Sequence, residues 1–234
     1  MAVQEIRSRL RKLGDKDRAK NSQWFFKTGP GEYGEGDRFL GIKVPELRKL
    51  AKEYQAIPLT EATQLLQSSI HEERLLALFI LVRAFSKGDE PTQEEIYHIY
   101  LHNTQYINNW DLVDASAEHI VGAFLQKKSK KSLSELTRSG NLWERRIAIM
   151  ATFHFIKGGE FTETLKIARM LLSDTEDLIH KAVGWMLREV GKRDLATEEH
   201  FLKKHYKKMP RTMLRYAIER FPEPKRQRYL KGTV

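Results

Sequence analysis

Residues 141–151, NLWERRIAIMA, contain the pattern that decides the fold. Apolar side chains recur there every three or four residues, which predicts an amphipathic helix that buries one face. The centre of this stretch, Arg146-Ile147-Ala148-Ile149, has two counterparts, each about 35 residues further along, in Lys181-Ala182-Val183-Gly184 and Arg215-Tyr216-Ala217-Ile218. A recurrence of this length indicates stacked helical repeats.

The same rhythm extends to five strongly apolar helices, each preceded by a more polar one. Their predicted starts lie near His71, Asn108, Asn141, Asp177 and Arg211. Two-helix repeats bury their apolar faces against their neighbours and leave one concave surface for a large partner. No stretch alternates as a strand would. We therefore expect an all-α fold, a HEAT-like helical-repeat superhelical solenoid with a concave basic face, formed by residues 1–234 as a single domain.

The composition excludes several classes of site. The chain has no cysteine, so disulfides, thiolate metal sites and cysteine nucleophiles are absent. The acid–histidine clusters at residues 71–73 and 198–200 lack the spacing of helical metal ligands, so we expect no metal and no cofactor. No apolar run approaches the roughly 18 residues of a membrane span. The N-terminal residues lack the apolar centre of a signal peptide. We expect a cytoplasmic monomer with no membrane partner.

Positive charge predicts a polyanionic partner. The formal net charge is +10 and the pI is about 9.6. Residues 200–234 hold eleven Lys and Arg against two acids, and residues 126–146 hold seven against two. Such clustering is typical of proteins that bind nucleic acids, although a solubilising surface would look the same. Arg146, Lys181 and Arg215 occupy matching repeat positions, so we expect them on one face, where they would bind such a partner.

The helix near Asn108 carries an acid, Asp114, at the register where the three later apolar helices carry a cation. Trp110 lies four residues earlier and therefore shares its helical face. Asp111, in the first turn, suits a capping role. A salt bridge to a neighbouring repeat is the alternative reading of Asp114.

Two further tryptophans occur in the apolar helices. We expect Trp143 to lie in the core. Trp185 shares a helical face with Arg188, three residues later, so both a core position and an accessible one remain open. The Gly-rich segment over residues 28–37 matches no phosphate-binding motif and is interpreted as a connecting loop.

Several motifs in order resemble one family. They are Phe39-Leu40-Gly41-Ile42 with Pro45, Trp110-Asp111-Leu112-Val113-Asp114, Leu142-Trp143-Glu144-Arg145-Arg146 and Lys181-Ala182-Val183-Gly184-Trp185-Met186-Leu187-Arg188-Glu189. Across residues 39–221 the chain resembles the AlkD-like DNA alkylation repair proteins, which are HEAT-like DNA glycosylases. The family is described as removing cationic N3- and N7-alkylated purines from duplex DNA without a deep base pocket.

The resemblance implies roles for individual residues. Asp114 would be the catalytic carboxylate, with Trp110 and Trp185 as aromatic walls beside the sugar of the lesion. Three further residues would bind DNA. Arg146 would lie near that site, and Arg188 and Arg211 would contact phosphates. The chain departs from the family at Asn109, where some relatives have a second Trp. The family's N-terminal aromatic residue has its best match in Phe25.

These residues suit that chemistry, because an N-alkylated purine already carries a positive charge and leaves without being protonated. One carboxylate can then suffice where ordinary glycoside hydrolysis uses two. Its task is to stabilise the oxocarbenium-like sugar, and nearby cations would keep it ionised. The sequence thus predicts a DNA glycosylase acting on alkylated duplex DNA in base excision repair, releasing 3-methyladenine or 7-methylguanine. The alternatives are a non-catalytic HEAT-repeat protein that binds damaged or branched DNA, and a protein-interaction scaffold.

Overall fold

The computed structural model describes residues 2–234, and all regular secondary structure within them is helical. One isolated β-bridge, between Arg38 and Ile70, is the sole extended pairing in that range. The all-α prediction is confirmed. The chain forms two compact units, one ending at Ile120 and the other spanning Val121–Val234. A single domain over residues 1–234 stays a prediction.

The first unit contains seven α-helices among its described residues. They are α1 Ala2–Leu13, α2 Lys16–Phe25, α3 Val44–Glu53, α4 Leu59–Leu66, α5 His71–Lys87, α6 Glu90–His102 and α7 Trp110–Asp114. A 3-10 turn over Thr104–Tyr106 precedes α7, and a π-helix over Glu118–Gly122 follows it. The Gly-rich segment 28–37 lies outside the helices, as predicted.

Helix α5 is the core of the first unit. Every residue from His71 to Leu81 is buried, and the helix packs against α3, α4, α6 and α7. A helix that is apolar over most of its surface must be covered on all sides. By contrast, α1 buries one stripe, Val3, Ile6 and Leu10, whose spacing matches a single helical face.

The second unit repeats the pairing of a polar helix with an apolar one. Its helices are α8 Ala123–Leu125, α9 Lys131–Thr137, α10 Leu142–Ala151, α11 Phe153–Lys157, α12 Thr162–Met170, α13 Asp177–Gly191, α14 Leu195–His205, α15 Arg211–Ala217 and α16 Glu223–Lys231. Helix α13 occupies the centre and packs against α10, α12, α14 and α15. The apolar helices of both units begin within two residues of their predicted starts.

Glycine sets the separation between adjacent apolar helices in the second unit. A Cβ on Gly184 of α13 would overlap the carbonyl oxygen of Met213 in α15. A Cβ on Gly122 would overlap the carbonyl oxygen of Ala151 in α10 in the same way. Only a residue without a side chain permits these backbones to approach so closely.

Candidate active site

The short helix α7 carries Trp110, Asp111 and Asp114 on five residues. Its N-cap is Asn109, whose side-chain oxygen accepts a hydrogen bond from the Trp110 amide at 2.8 Å. The prediction that Asp111 caps the helix is wrong. Asp111 instead accepts a hydrogen bond from Nε2 of His71 at 2.8 Å, because α5 brings that imidazole beneath α7.

Asp114 is half-buried and lines an open cavity of about 470 Å³ within the first unit. The lining combines apolar, basic and polar side chains from α3, α5 and the segment after α7: Arg48, Ala51, Phe79, Val82, Arg83, Ser86, Ala115 and His119. The carboxylate therefore lies neither on an exposed rim nor sealed in the core. A small ligand group can reach it from solvent.

Two arginines of this cavity were not anticipated from the sequence. The Arg48 guanidinium lies 4.3 Å from the centroid of the Phe79 ring, a cation–π contact. Arg83 donates a hydrogen bond to Oε1 of Gln55 at 3.2 Å. Neither residue belongs to a motif, and only the packing of α3 against α5 brings them to Asp114. Together they make the surroundings of the carboxylate basic.

Trp110 is half-buried and lies against aromatic rings at the end of α2. Phe26 stacks on it with centroids 5.4 Å apart, and Phe25 meets it edge-on at 6.0 Å. Phe25 is 55% exposed. The structure thus brings Phe25 next to Trp110, the predicted aromatic wall.

A buried charged cluster beneath α7 is the main feature that sequence reasoning missed. His71 Nδ1 lies 3.1 Å from Asp37, and Arg74 donates to the other oxygen of Asp37 at 2.6 Å. Burial lowers the pKa of His71, but its hydrogen bonds to Asp111 and Asp37 outweigh burial and raise the pKa to about 8. The adjacency of His71 to two acids in sequence gave no hint, because its partners come from distant segments.

The loop that contains Phe39 and Gly41 is fixed by one buried carboxylate. Glu72 accepts hydrogen bonds from three consecutive backbone amides, those of Leu40, Gly41 and Ile42, at 2.7–3.2 Å. Gly41 has a φ of +77°. A Cβ at this position would overlap backbone atoms of α2 and of the residue that precedes this helix. This cradle holds Phe39 over His71, with ring centroids 4.5 Å apart.

In the second unit, Trp185 is half-buried and Trp143 is buried, the latter as predicted. Trp185 donates from Nε1 to Glu189 at 3.2 Å, and its ring lies 6.2 Å from that of Phe153. Part of the Trp185 indole is therefore accessible, and its polar edge is held by its own helix.

Two predicted DNA-binding cations are engaged inside the second unit. Arg146 is only 4% exposed and donates to the Leu178 carbonyl at 2.6 Å, which ties α10 to α13. Arg188 forms an ion pair with Glu219. Contact between Arg146 and a phosphate would require the buried guanidinium to become exposed.

The other three predicted DNA-binding cations are more accessible. Lys181 pairs with Asp177 at 2.7 Å, and both side chains are substantially exposed. Arg211 and Arg215 are exposed on α15, and Arg211 donates to the Leu230 carbonyl at 2.6 Å. These partners are exchangeable at a solvated surface, where an ion pair contributes little.

Two observations bear on other ligands. Within residues 2–234, no three or more His, Asp or Glu side chains are arranged to hold a metal ion. Over the same described range, each helix is either too short or too polar to cross a bilayer.

Comparison with known proteins points to one family. A family model described as "DNA alkylation repair enzyme" matches residues 6–221. A search of curated protein sequences found no significant match.

Solved structures with the same fold include relatives of low sequence identity. A predicted DNA alkylation repair enzyme from Enterococcus faecalis is similar with a TM-score of 0.69 at 18% identity, over 90% of this chain and 98% of that one. AlkD2 from Streptococcus mutans is similar with a TM-score of 0.55 at 18% identity, over 88% of this chain and 98% of that one. At this identity the likeness shows the fold, and it confirms the helical-repeat class.

Proposed function

Because the chain belongs to the DNA alkylation repair enzyme family, we propose that it is a DNA glycosylase that excises cationic N3- and N7-alkylated purines from duplex DNA. The products would be the free base, such as 3-methyladenine or 7-methylguanine, and an abasic site for base excision repair. No cofactor or metal takes part in this proposal. The partner is alkylated duplex DNA, bound by a monomer in the cytoplasm.

The observation that carries the proposal is the setting of Asp114. The residue is half-buried and lines an open cavity together with Arg48, Arg83 and several apolar side chains. An acid that lines an open cavity together with basic side chains is a candidate functional group. Trp110 lies one turn earlier on the same helix.

The reaction needs little acid–base chemistry from the protein. When the C1′–N bond breaks, its electron pair moves to the purine, which leaves as a neutral base. The sugar becomes oxocarbenium-like, and the negative charge of Asp114 stabilises it. Water then attacks C1′ and gives up a proton, for which the same carboxylate is the available acceptor.

Aromatic rings at the lesion would strengthen this effect. Trp110, with Phe25 at its edge, offers a surface for the cationic base or sugar, worth about 0.5–2 kcal/mol per cation–π contact. Excluding water from the site also strengthens the carboxylate's field. Trp185 is proposed for the same role from the second unit, supported by its partial exposure.

DNA binding in this proposal depends on phosphate contacts. Of the five cations assigned to DNA binding, Lys181, Arg211 and Arg215 are accessible. Arg146 and Arg188 would contact phosphates only after exchanging their present partners. The net charge of +10 supports a polyanionic partner. A non-catalytic DNA-binding protein would use the same cations, so activity has to be measured directly.

The decisive experiment is base release from methylated duplex DNA, with free purines identified by mass spectrometry. We expect Asp114→Asn to release base about 10²-fold or more slowly than the wild type. The control is Glu94→Gln, an equivalent carboxylate-to-amide change at an exposed position on α6, which should leave the rate unchanged.

Two outcomes would count against the proposal. An Asp114→Asn variant as fast as the wild type would remove Asp114 from the mechanism. A wild type that binds DNA equally with and without lesions and releases no base would favour the non-catalytic alternative.

A further inference from the structure

Three segments of the first unit meet at one buried imidazole. Nδ1 of His71, in α5, lies 3.1 Å from Oδ2 of Asp37 in the loop before α3, and Nε2 lies 2.8 Å from Oδ2 of Asp111 in α7. The side chains of His71 and Asp37 are 2% and 4% exposed, and that of Asp111 is 16% exposed. Arg74 completes the cluster on the far oxygen of Asp37.

This geometry requires a protonated imidazole. A neutral histidine carries one N–H, so one of its nitrogens would face a carboxylate with a lone pair. Asp37 also pairs with Arg74, which would partly compensate the repulsion between the Asp37 carboxylate and an unprotonated Nδ1. The structure gives Asp111 no other hydrogen-bond donor among the described side chains, and its Oδ1 is buried without a partner. His71 is therefore the anchor of Asp111.

Helix α7 depends on such an anchor because it is only five residues long. A helix of one turn is not stable by itself and takes its position from tertiary contacts. The anchored residue, Asp111, follows Trp110 directly and precedes Asp114 by three positions. Any shift at Asp111 therefore moves both of the residues assigned to the chemistry.

A ring stack couples the same imidazole to Trp110 by a second route. Phe39 stacks on His71 at 4.5 Å, and Phe26 contacts both His71 at 5.1 Å and Trp110 at 5.4 Å. Phe26 thus lies between the imidazole and the indole. A displaced His71 would disturb the indole through this ring as well as through Asp111.

We propose that His71, as an imidazolium bridging Asp37 and Asp111, is a positioning residue that fixes α7 and so places Trp110 and Asp114. This rests on the function proposed above. His71 does not touch the substrate in this scheme, and its effect is exerted through Asp111 and Phe26.

The proposal predicts an alkaline limit to activity. The groups that face His71 are Asp37 from the loop, Asp111 from α7 and Arg74 from α5, and the two carboxylates dominate. They raise the pKa of His71 above its ordinary 6.5 to about 8 despite burial and Arg74. Since the folded pKa is the higher one, the stabilisation of α7 is complete below about pH 6.5 and is lost as pH rises through about 8.

Nuclear magnetic resonance tests the anchor without reference to activity. The His71 ring protons of the wild type should titrate near pH 8, and in Asp111→Asn the midpoint should fall by one unit or more. The indole N–H of Trp110 and the amide of Asp114 should shift in His71→Gln. They should not shift in His98→Gln, a control at an exposed histidine of α6.

Kinetics tests the consequence for the reaction. In single-turnover base release at pH 7, we expect His71→Gln to be about tenfold slower or more, because displacement by 1 Å can cost about 10²-fold. In Asp111→Asn, the pH at which the rate falls should no longer match the pKa of His71. Circular dichroism confirms that each variant is folded at the assay temperature.

The outcomes separate this proposal from the proposed function. A wild-type His71 that titrates at or below pH 6.5 overturns the anchor whatever the activity. Unshifted Trp110 and Asp114 resonances, or wild-type kinetics in folded His71→Gln, overturn the positioning role while base release by the wild type upholds the glycosylase. If the wild type releases no base, the function fails, and the resonances still decide whether His71 places α7.

Discussion

Asp111 and Asp114 lie three positions apart on α7 and have different partners. Asp111 accepts a hydrogen bond from the buried His71 and is not the N-cap of the helix. Asp114 was singled out because it interrupts a row of cations, and the structure places it at an accessible cavity. The presence of Arg48 and Arg83 in this cavity could not be predicted, because the repeat pattern does not indicate which side chains of neighbouring helices line a common cavity.

Glu72 provides a first prediction at this scale. Its two oxygens accept three backbone amides, so Glu72→Gln would turn an N–H group toward an N–H donor whichever way the amide lies. We expect a loss of about 1–3 kcal/mol in the free energy of unfolding, measured by urea denaturation. Glu46→Gln, an exposed pair with Lys49, should change stability by less than about 0.5 kcal/mol.

Glu198 provides a second prediction at the scale of single residues. Burial, and then the adjacent Glu199, raise its pKa from 4.5 to about 8. The folded protein therefore prefers the protonated acid, so this residue's favourable contribution is complete below about pH 4.5 and is lost as pH rises through about 8. Glu198→Gln should be more stable than the wild type at pH 8.5 by about 1 kcal/mol or more, and similar to it at pH 5.

The measurement for Glu198 is thermal unfolding at the two pH values. Glu95→Gln, at an exposed position on α6, should show no such crossing. A Glu198→Gln variant that is equally destabilised at both pH values would show that the carboxyl group accepts a hydrogen bond which the amide cannot replace.

Helix starts could be read from the sequence, but helix ends could not. Asn109 and Asn141 accept amide hydrogen bonds as N-caps, so the apolar helices begin where the pattern places them. The apolar helix predicted to start near Asn108 is only five residues long. It breaks after Asp114, where the Ser116 hydroxyl bonds to the Leu112 carbonyl at 2.6 Å and to the Tyr100 hydroxyl. A side chain that competes for backbone groups in this way leaves little trace in hydrophobic periodicity.

The close packing of α13 on α15 gives a prediction at the scale of elements. Gly184→Ala should lower the free energy of unfolding by about 1–3 kcal/mol, because the new methyl group meets the Met213 carbonyl rather than open space. Gly140→Ala, where nothing lies within 4 Å of the added carbon, is the matched control in urea denaturation. Equal stabilities would mean that the two helices can separate without cost.

At the scale of the whole molecule, the fold class could be predicted from the sequence, whereas the packing around the predicted site residues could not. Repeat spacing and helical periodicity are properties of the chain, so both survive without knowledge of packing. The site residues fall into two groups by unit, with Trp110 and Asp114 in the first and Trp185 in the second. The buried position of Arg146 could not be foreseen, because a cation at a repeated register has the same signature whether it faces solvent or a carbonyl.

The excess of positive charge predicts a steep salt dependence of DNA binding. Removing one cation that binds a phosphate should reduce the magnitude of the slope of log K against log salt concentration by about 0.9. Arg215→Gln should show this change in filter binding between about 50 and 200 mM salt. Lys166→Gln, on the polar helix α12 where Lys166 pairs with Glu163, should keep the wild-type slope. Identical slopes for the two variants would remove Arg215 from the residues that bind DNA.

The four tryptophans differ in their exposed fraction, so their fluorescence can report on the protein. Trp24 is 76% exposed and Trp143 is 7% exposed, with Trp110 and Trp185 between them. Iodide should therefore quench the emission of Trp24 first and that of Trp143 least. Once Trp24 is replaced by Phe, the emission that iodide still quenches comes from Trp110 and Trp185, the two indoles proposed to contact the lesion. Protection of this emission from iodide by methylated DNA would measure occupancy of the site without a label.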